Sequence, residues 1–314
     1  MGTRCTLSAF HHDQALVERA VDAAVREIER LDAMLTTWQP GSEVSRVNAL
    51  AGTGEATLVS AETFEILERS VWIARETKGA FDITVGAFKG LWKFDQDNDG
   101  TLPKRRDVLA RLPLVDYRGI VLDAERRTAR LALSGQSITL GGIAKGLIVD
   151  RAVAKLREAG LADFLVQAGG DLYAAGRHGD RPWRVGIQDP RAATDGRGTD
   201  TSFAMLSLGD AAFNTSGDYE RFVIKDGRRY HHILDPKTGY PVAHTRSVTV
   251  LAPTSFLADT LDTAVFVLGA EEGMKLIESQ PGVEAVIVDA QNRVHVSRGL
   301  EAQLTRIRPP TDGP

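Results

Sequence analysis

The chain has 314 residues, 43% hydrophobic and 25% charged, with a formal net charge of −4. That composition is ordinary for a globular protein, and its acidic balance argues against a nucleic-acid partner, which needs a basic face. The single cysteine, Cys5, excludes a disulfide framework and a thiolate metal site, and no stretch approaches the roughly 20 apolar residues that span a bilayer.

Taken in chain order, "MGTRCTLSAF" alternates like a strand, with Cys5 a small buried member of it. No charged segment with an apolar core precedes it. That leaves a cytoplasmic protein, or one whose export segment has been removed. "HHDQALVERAVDAAVREIERLDAMLTTW" carries apolar residues at helical spacing, and Pro40 and Gly41 end it. A second helix is predicted from about Ser60, a suitable N-cap, to Thr77, with Gly79 as terminator. "YRGIVLDAERRTARLAL" reads as a hairpin, and "GGIAKGLIVDRAVAKLREAG" as a helix opening on glycines. Strands are predicted at "DFLVQAGGD", "WRVGIQDP", "SFAMLSL", "AAFNTSG", "RFVIKDG" and "SVTVLAP". Two helices and a hairpin, "EAVIVDAQNRVHVS", complete the pattern. Strands and helices come in blocks, so the fold class is α+β, with antiparallel sheets and flanking helices in one compact domain over residues 1–305. Residues 306–314 read as a flexible tail.

The segment "LADTLDTAVFVLG" raises the first chemical question. Asp259, Asp262 and Thr263 share one face of a helix, at i, i+3 and i+4. Acids at the head of a helix suit its positive dipole end, whereas three hard oxygen donors at one spot suit Mg²⁺. The spacing admits both readings. In "ITLGGIAKG" a glycine pair precedes a helix with Lys145 in its first turn, a place where backbone N–H groups attract anions; a tight strand-to-helix turn explains it equally well. Of the adjacent His231 and His232, one side chain points inward and the other outward on a strand. The inner one reads as a buried, hydrogen-bonded histidine, and beside a phosphoryl site a histidine is the natural proton acceptor for an attacking hydroxyl. "AFDITVG", "QAGGDL" and "NTSGDYE" are glycine-rich turns where backbone can approach a ligand. "DQDNDG" starts like a calcium loop, but Arg106 stands where the closing Glu is required, so it reads as a solvated acidic turn.

In this order, "W-x-P-x-SEVSRVN", "AFDITVG", "LW-x-F", "GGIAKG", "TSGDYE", "HHILDP-x-TGYP" and "ADTLDTAVFVLG" resemble the ApbE family of FAD:protein FMN transferases, from Met1 to about Gly269. The resemblance implies a T-fold-like domain that binds FAD in a cleft beside Mg²⁺. It implies transfer of FMN from FAD to a Ser or Thr hydroxyl of an acceptor protein through a phosphoester bond, with release of AMP. Asp259, Asp262, Thr263 and the Gly142 carbonyl match the metal ligands. Met1, Trp38, Ala80, Phe81, Asp82, Lys145 and Ile233 match flavin-nucleotide contacts, joined by Gly169, Gly170 and Asp171, and His232 matches the candidate general base. Many members have aspartate where this chain has Thr139, which brings no charge to the ligand. Acceptors in the family are membrane-associated redox subunits or small FMN-binding domains, and members are commonly periplasmic or membrane-anchored. The readings that compete with transfer are an FAD pyrophosphatase, with water as nucleophile, and a non-catalytic FAD carrier.

Overall fold

The computed structural model describes residues 2–94, 97–192 and 201–313. The alternating segments assemble into one seven-stranded sheet of β1 (Cys5–Phe10), β2 (Asp163–Ala168), β3 (Asp171–Ala175), β4 (Ala211–Gly217), β5 (Thr245–Ala252), β6 (Glu284–Asp289) and β7 (Val294–Val296). Their order across the sheet is their order along the chain, and every neighbouring pair is antiparallel. The period of two then decides the layers. Tyr173 and Ala175 of β3 face one core, and Leu172 and Ala174 face another.

On the first face lie α1 (Gln14–Leu35), α2 (Ala61–Glu76), α3 (Ala144–Glu158) and α4 (Ser255–Leu268). In α1 the buried stripe Ala20, Ala24, Ile28, Leu31 and Leu35 recurs at three and four residues, as an amphipathic helix on a sheet requires. The ends of α2 follow local chemistry. Ser60 Oγ accepts the Thr63 N–H at 3.2 Å, and Gly79, at φ +79°, donates its N–H to Ala74 O. A four-stranded sheet of residues 177–178, 181–188, 202–208 and 305–306 covers the other face, filling it with Trp183, Ile187, Phe203 and Leu206. The α+β expectation holds. Among the described residues no helix is long and apolar enough to cross a membrane.

The end of the chain is not the loose tail expected from its Pro- and Gly-rich sequence. Thr305–Arg306 pairs with the 202–208 strand, Asp189 receives Arg308 and the Thr311 N–H and hydroxyl, and Arg246 reaches Asp312. Polar anchors far away in sequence hold the segment, so local composition could not show them.

The contact that matters for the site is between α3 and α4. A Cβ on Gly146 would lie 2.3 Å from Ser255 O and 2.7 Å from Asp259 Cβ, so only glycine lets the helices meet there. Gly146→Ala is expected to lower stability by about 1–3 kcal/mol by overpacking. Urea unfolding measures it, and an unchanged midpoint would mean that the helices are not in fixed contact at this point.

Candidate active site

The helix α3 starts without a cap of its own. Its N-cap residue, Ile143, has no side-chain hydrogen bond to give. The missing acceptor comes from α4, where Asp259 Oδ2 takes the Gly146 N–H at 2.7 Å. The first N–H groups of α4 are satisfied otherwise, Ser255 and Phe256 by the Asp150 carboxylate and Leu257 by Thr254 Oγ1. Asp259 and Asp262 therefore do not cap their own helix. One caps a neighbouring helix, and both are left free to face a third element.

That element is the sheet. Asp171, at the start of β3, joins Asp259 and Asp262 in a group of carboxylates whose ligand atoms lie within 4.8 Å of one another, all buried. Lys145 Nζ lies 3.0 Å from Asp259 Oδ1 and 2.9 Å from Asp171 Oδ2. From β4, Ser216 Oγ donates to Asp262 Oδ1 at 3.1 Å and stands 3.1 Å from Thr263 Oγ1. Asp262 Oδ2 is buried and finds no hydrogen-bond partner among the described residues. Gly142 completes the arrangement, since a Cβ there would lie 3.3 Å from Thr263 Oγ1.

A hard divalent cation fits this donor set. Three buried carboxylates face one ammonium, an orphaned carboxylate oxygen points into the group, and a hydroxyl adjoins it. Burial, and then the neighbouring charges of Asp259 and Asp171, push the Asp262 carboxyl well above the usual carboxylate range. Burial and then Asp259 push Asp171 the same way. Enclosure alone would lower Lys145, but Asp171, Asp259 and Asp262 outweigh it and raise it, so the ammonium stays charged.

The cluster lies behind the floor of a cleft of about 450 Å³. Trp38, Ala80, Phe81, Asp82, Thr139, Gly142, Lys145, Gly169, Gly170, His232, Ile233 and Thr263 all line it, so the structure brings most of the expected contacts to one place. Trp38 stands at the cleft 71% exposed, with Lys89 Nζ 4.8 Å above its ring. The tight turn at Asp226 and Gly227, both with positive φ, folds back the strand 228–231, which ends on His231 and delivers His232 just beyond it. His231 is buried with Nε2 2.7 Å from Val242 O, and His232 is open to the cleft. The walls around it, then His231, Arg221 and Lys145, hold the His232 imidazole below its usual range, hence neutral.

Several of the expected residues carry other contacts in the structure. Asp171 does not line the cleft; it is buried beneath Lys145 because β3 begins there with its side chain turned to the helices. Asp82 lines the cleft, but its oxygens accept the Thr84 N–H and hydroxyl and the Tyr117 N–H, so its carboxylate caps a turn. Gly169 and Gly170 are required by protein neighbours, since Cβ atoms there would lie 2.5 Å from Thr3 Oγ1 and 2.6 Å from Thr215 O. Met1 lies outside the described residues, as does Asp95 of the acidic turn, whose Asp99 pairs with Lys93. Ser216 escaped the sequence reading, because nothing in "NTSGDYE" shows that β4 passes under α4.

A deep cleft floored by hard oxygen donors and a helix N-terminus is the equipment of an enzyme that works on phosphate esters. The pattern of the ApbE family matches residues 1–287, and the chain belongs to that family. It is 35% identical to the FAD:protein FMN transferase of Treponema pallidum, over 96% of this chain and 85% of the relative. It is 31% identical to the Haemophilus influenzae protein of the same name, over 93% and 85%. The ApbE protein of Thermotoga maritima superposes with a TM-score of 0.83 at 31% identity, covering 96% of this chain and 95% of that one. The flavin transferase ApbE of Vibrio cholerae superposes at 0.81 and 26%, covering 96% of each.

The raised carboxyls set a pH dependence. Asp171 and Asp262 bind protons more readily folded than unfolded, so the folded state carries more protons above the ordinary carboxylate range. Stability in a chelator therefore rises as pH falls toward that range and drops as pH climbs. Urea midpoints at about pH 5.5 and about pH 8.5 measure this, and Asp262→Asn is expected to shrink the difference. An equal difference in the variant would place the titrating groups elsewhere.

Proposed function

We propose that this enzyme binds FAD in the cleft and transfers its FMN half to a Ser or Thr hydroxyl of an acceptor protein, forming a phosphoester and releasing AMP. The observation that carries the reading is the buried carboxylate cluster, with its orphaned Asp262 oxygen, directly behind Lys145 and Thr263 in the lining of the cleft that His232 also lines. The names borne by the relatives support the substrate and the reaction.

The α3 N-terminus and Lys145 receive the diphosphate, the Trp38 indole offers a face on which a planar ring stacks, and Asp259, Asp262, Thr263 and the Gly142 carbonyl would hold Mg²⁺. When bound, that ion supplies Lewis-acid charge stabilisation at the phosphate oxygens. His232 takes the proton from the acceptor hydroxyl. The hydroxyl oxygen bonds to the phosphorus on the FMN side as the bond from that phosphorus to the bridging oxygen breaks, and AMP leaves with the electron pair. The acceptor is a redox subunit or small FMN-binding domain presenting a Ser or Thr in an accessible segment.

Incubation with FAD, Mg²⁺ and an acceptor, followed by intact mass, tests this: one added FMN phosphoester is expected on the acceptor. Free FMN and AMP, with the acceptor unmodified, would assign the activity to water, and intact FAD would assign a carrier. Asp259→Ala and Asp262→Ala are each expected to abolish transfer, and full activity in both removes the metal from the reaction. His232→Ala is expected to bind FAD normally and to slow transfer by about 10²–10⁴; an unchanged rate reassigns the base.

A further inference from the structure

We propose that the Lys145 ammonium is a resident counter-cation of the carboxylate cluster that competes with the divalent metal for Asp259, so that metal and diphosphate bind cooperatively through it. The inference rests on the metal and diphosphate reading above and adds a coupling between them.

The positions of the charges carry the argument. Asp259 has two carboxylate oxygens, and one is fixed on the Gly146 N–H. The other, Oδ1, is what Asp259 has left to offer, and Lys145 Nζ is already on it at 3.0 Å. A cation drawn to Asp259 and to the unpartnered Asp262 oxygen therefore meets an ammonium at the same carboxylate. Like charges sharing one oxygen repel, and the repulsion is strong where both acids have no exposure and water screens little.

Lys145 is built to yield. Its stem leaves the first turn of α3, its side chain is 26% exposed on the cleft side, and Asp171, outside the proposed ligand set of Asp259, Asp262, Thr263 and the Gly142 carbonyl, gives it a second anchor at 2.9 Å. A lysine ammonium on a flexible four-carbon stem can leave Asp259 without the helix moving. The cleft then offers it a partner whenever a diphosphate is present. Metal entry thus frees the lysine for the diphosphate, and the diphosphate draws the lysine off the metal's ligand. Such coupling is reciprocal, each ligand tightening the other by the same factor.

Mn²⁺ binding to the nucleotide-free protein, followed by the electron paramagnetic resonance signal of the free ion, tests this without any turnover. Lys145→Gln is expected to bind Mn²⁺ about tenfold more tightly than the parent or better, since a unit charge beside the ligand is removed. Lys145→Arg keeps the charge and is expected to match the parent. If Lys145→Gln binds Mn²⁺ no more tightly than the parent, the lysine is only a structural ion-pair partner and the proposal falls. Should Lys145→Gln fold only with metal present, the chelator concentration that strips its Mn²⁺ is compared with that for the parent. A higher concentration supports the competition and a lower one overturns it. Asp262→Asn separates this from the underlying reading: if it and the parent bind Mn²⁺ alike, the metal site itself fails, and this coupling with it.

Discussion

The site depends on one close approach. Because Gly146 has no side chain, α3 and α4 meet so tightly that an aspartate in the body of α4 caps the first turn of α3. That hydrogen bond orients Asp259 with one oxygen on the Gly146 N–H and the other turned to Lys145. The same contact aligns the Gly142 turn with Thr263 one helical turn further on. A wider helix pair would keep every residue and lose the arrangement, since hydrogen bonds and ligand sets tolerate only tenths of an ångström.

The cost of the arrangement is electrostatic. Carboxylates removed from water and set side by side destabilise the folded chain unless something positive joins them. Lys145 offsets part of that charge, while burial and then the neighbouring carboxylates press Asp171 and Asp262 upward. A purely structural role would be met more simply by capping α3 with one short side chain from its own loop. Three acids where one would cap the helix mark a place held in tension for a ligand.

What the sequence shows plainly is whatever local physics decides. The buried stripe of α1 and the Ser60 and Gly79 ends of α2 follow from residues within a turn or two of one another, whereas which of His231 and His232 turns inward is shown only by the structure. The choice between cap and metal ligand for Asp259 and Asp262 was not open to such reasoning. What rules out capping of their own helix lies in Asp150 and Thr254, which occupy its first N–H groups, and in Gly146, whose N–H takes one Asp259 oxygen. Ser216 stayed hidden for the same reason, and Asp171 was expected only as a ligand contact, not as a member of the buried acid cluster: antiparallel strands carry both to the helices. Asp82 shows the converse. It sits where the family pattern puts a ligand contact, yet its oxygens already serve the backbone of two other residues.

The depth at which each group lies also separates the two partners of the proposed reaction. The acids are fully buried behind the floor, Lys145 reaches partway into the cleft, and His232 and Trp38 are open to solvent. A nucleotide can reach the floor through a cleft of this size, whereas a folded acceptor cannot. Under the proposed reaction the acceptor hydroxyl would arrive on an extended or protruding segment and meet His232 at the open side. Charge stabilisation buried below and proton acceptance exposed above is the division of labour that a macromolecular nucleophile imposes. A small nucleophile such as water would be served as well by a closed site, and this cleft is not closed.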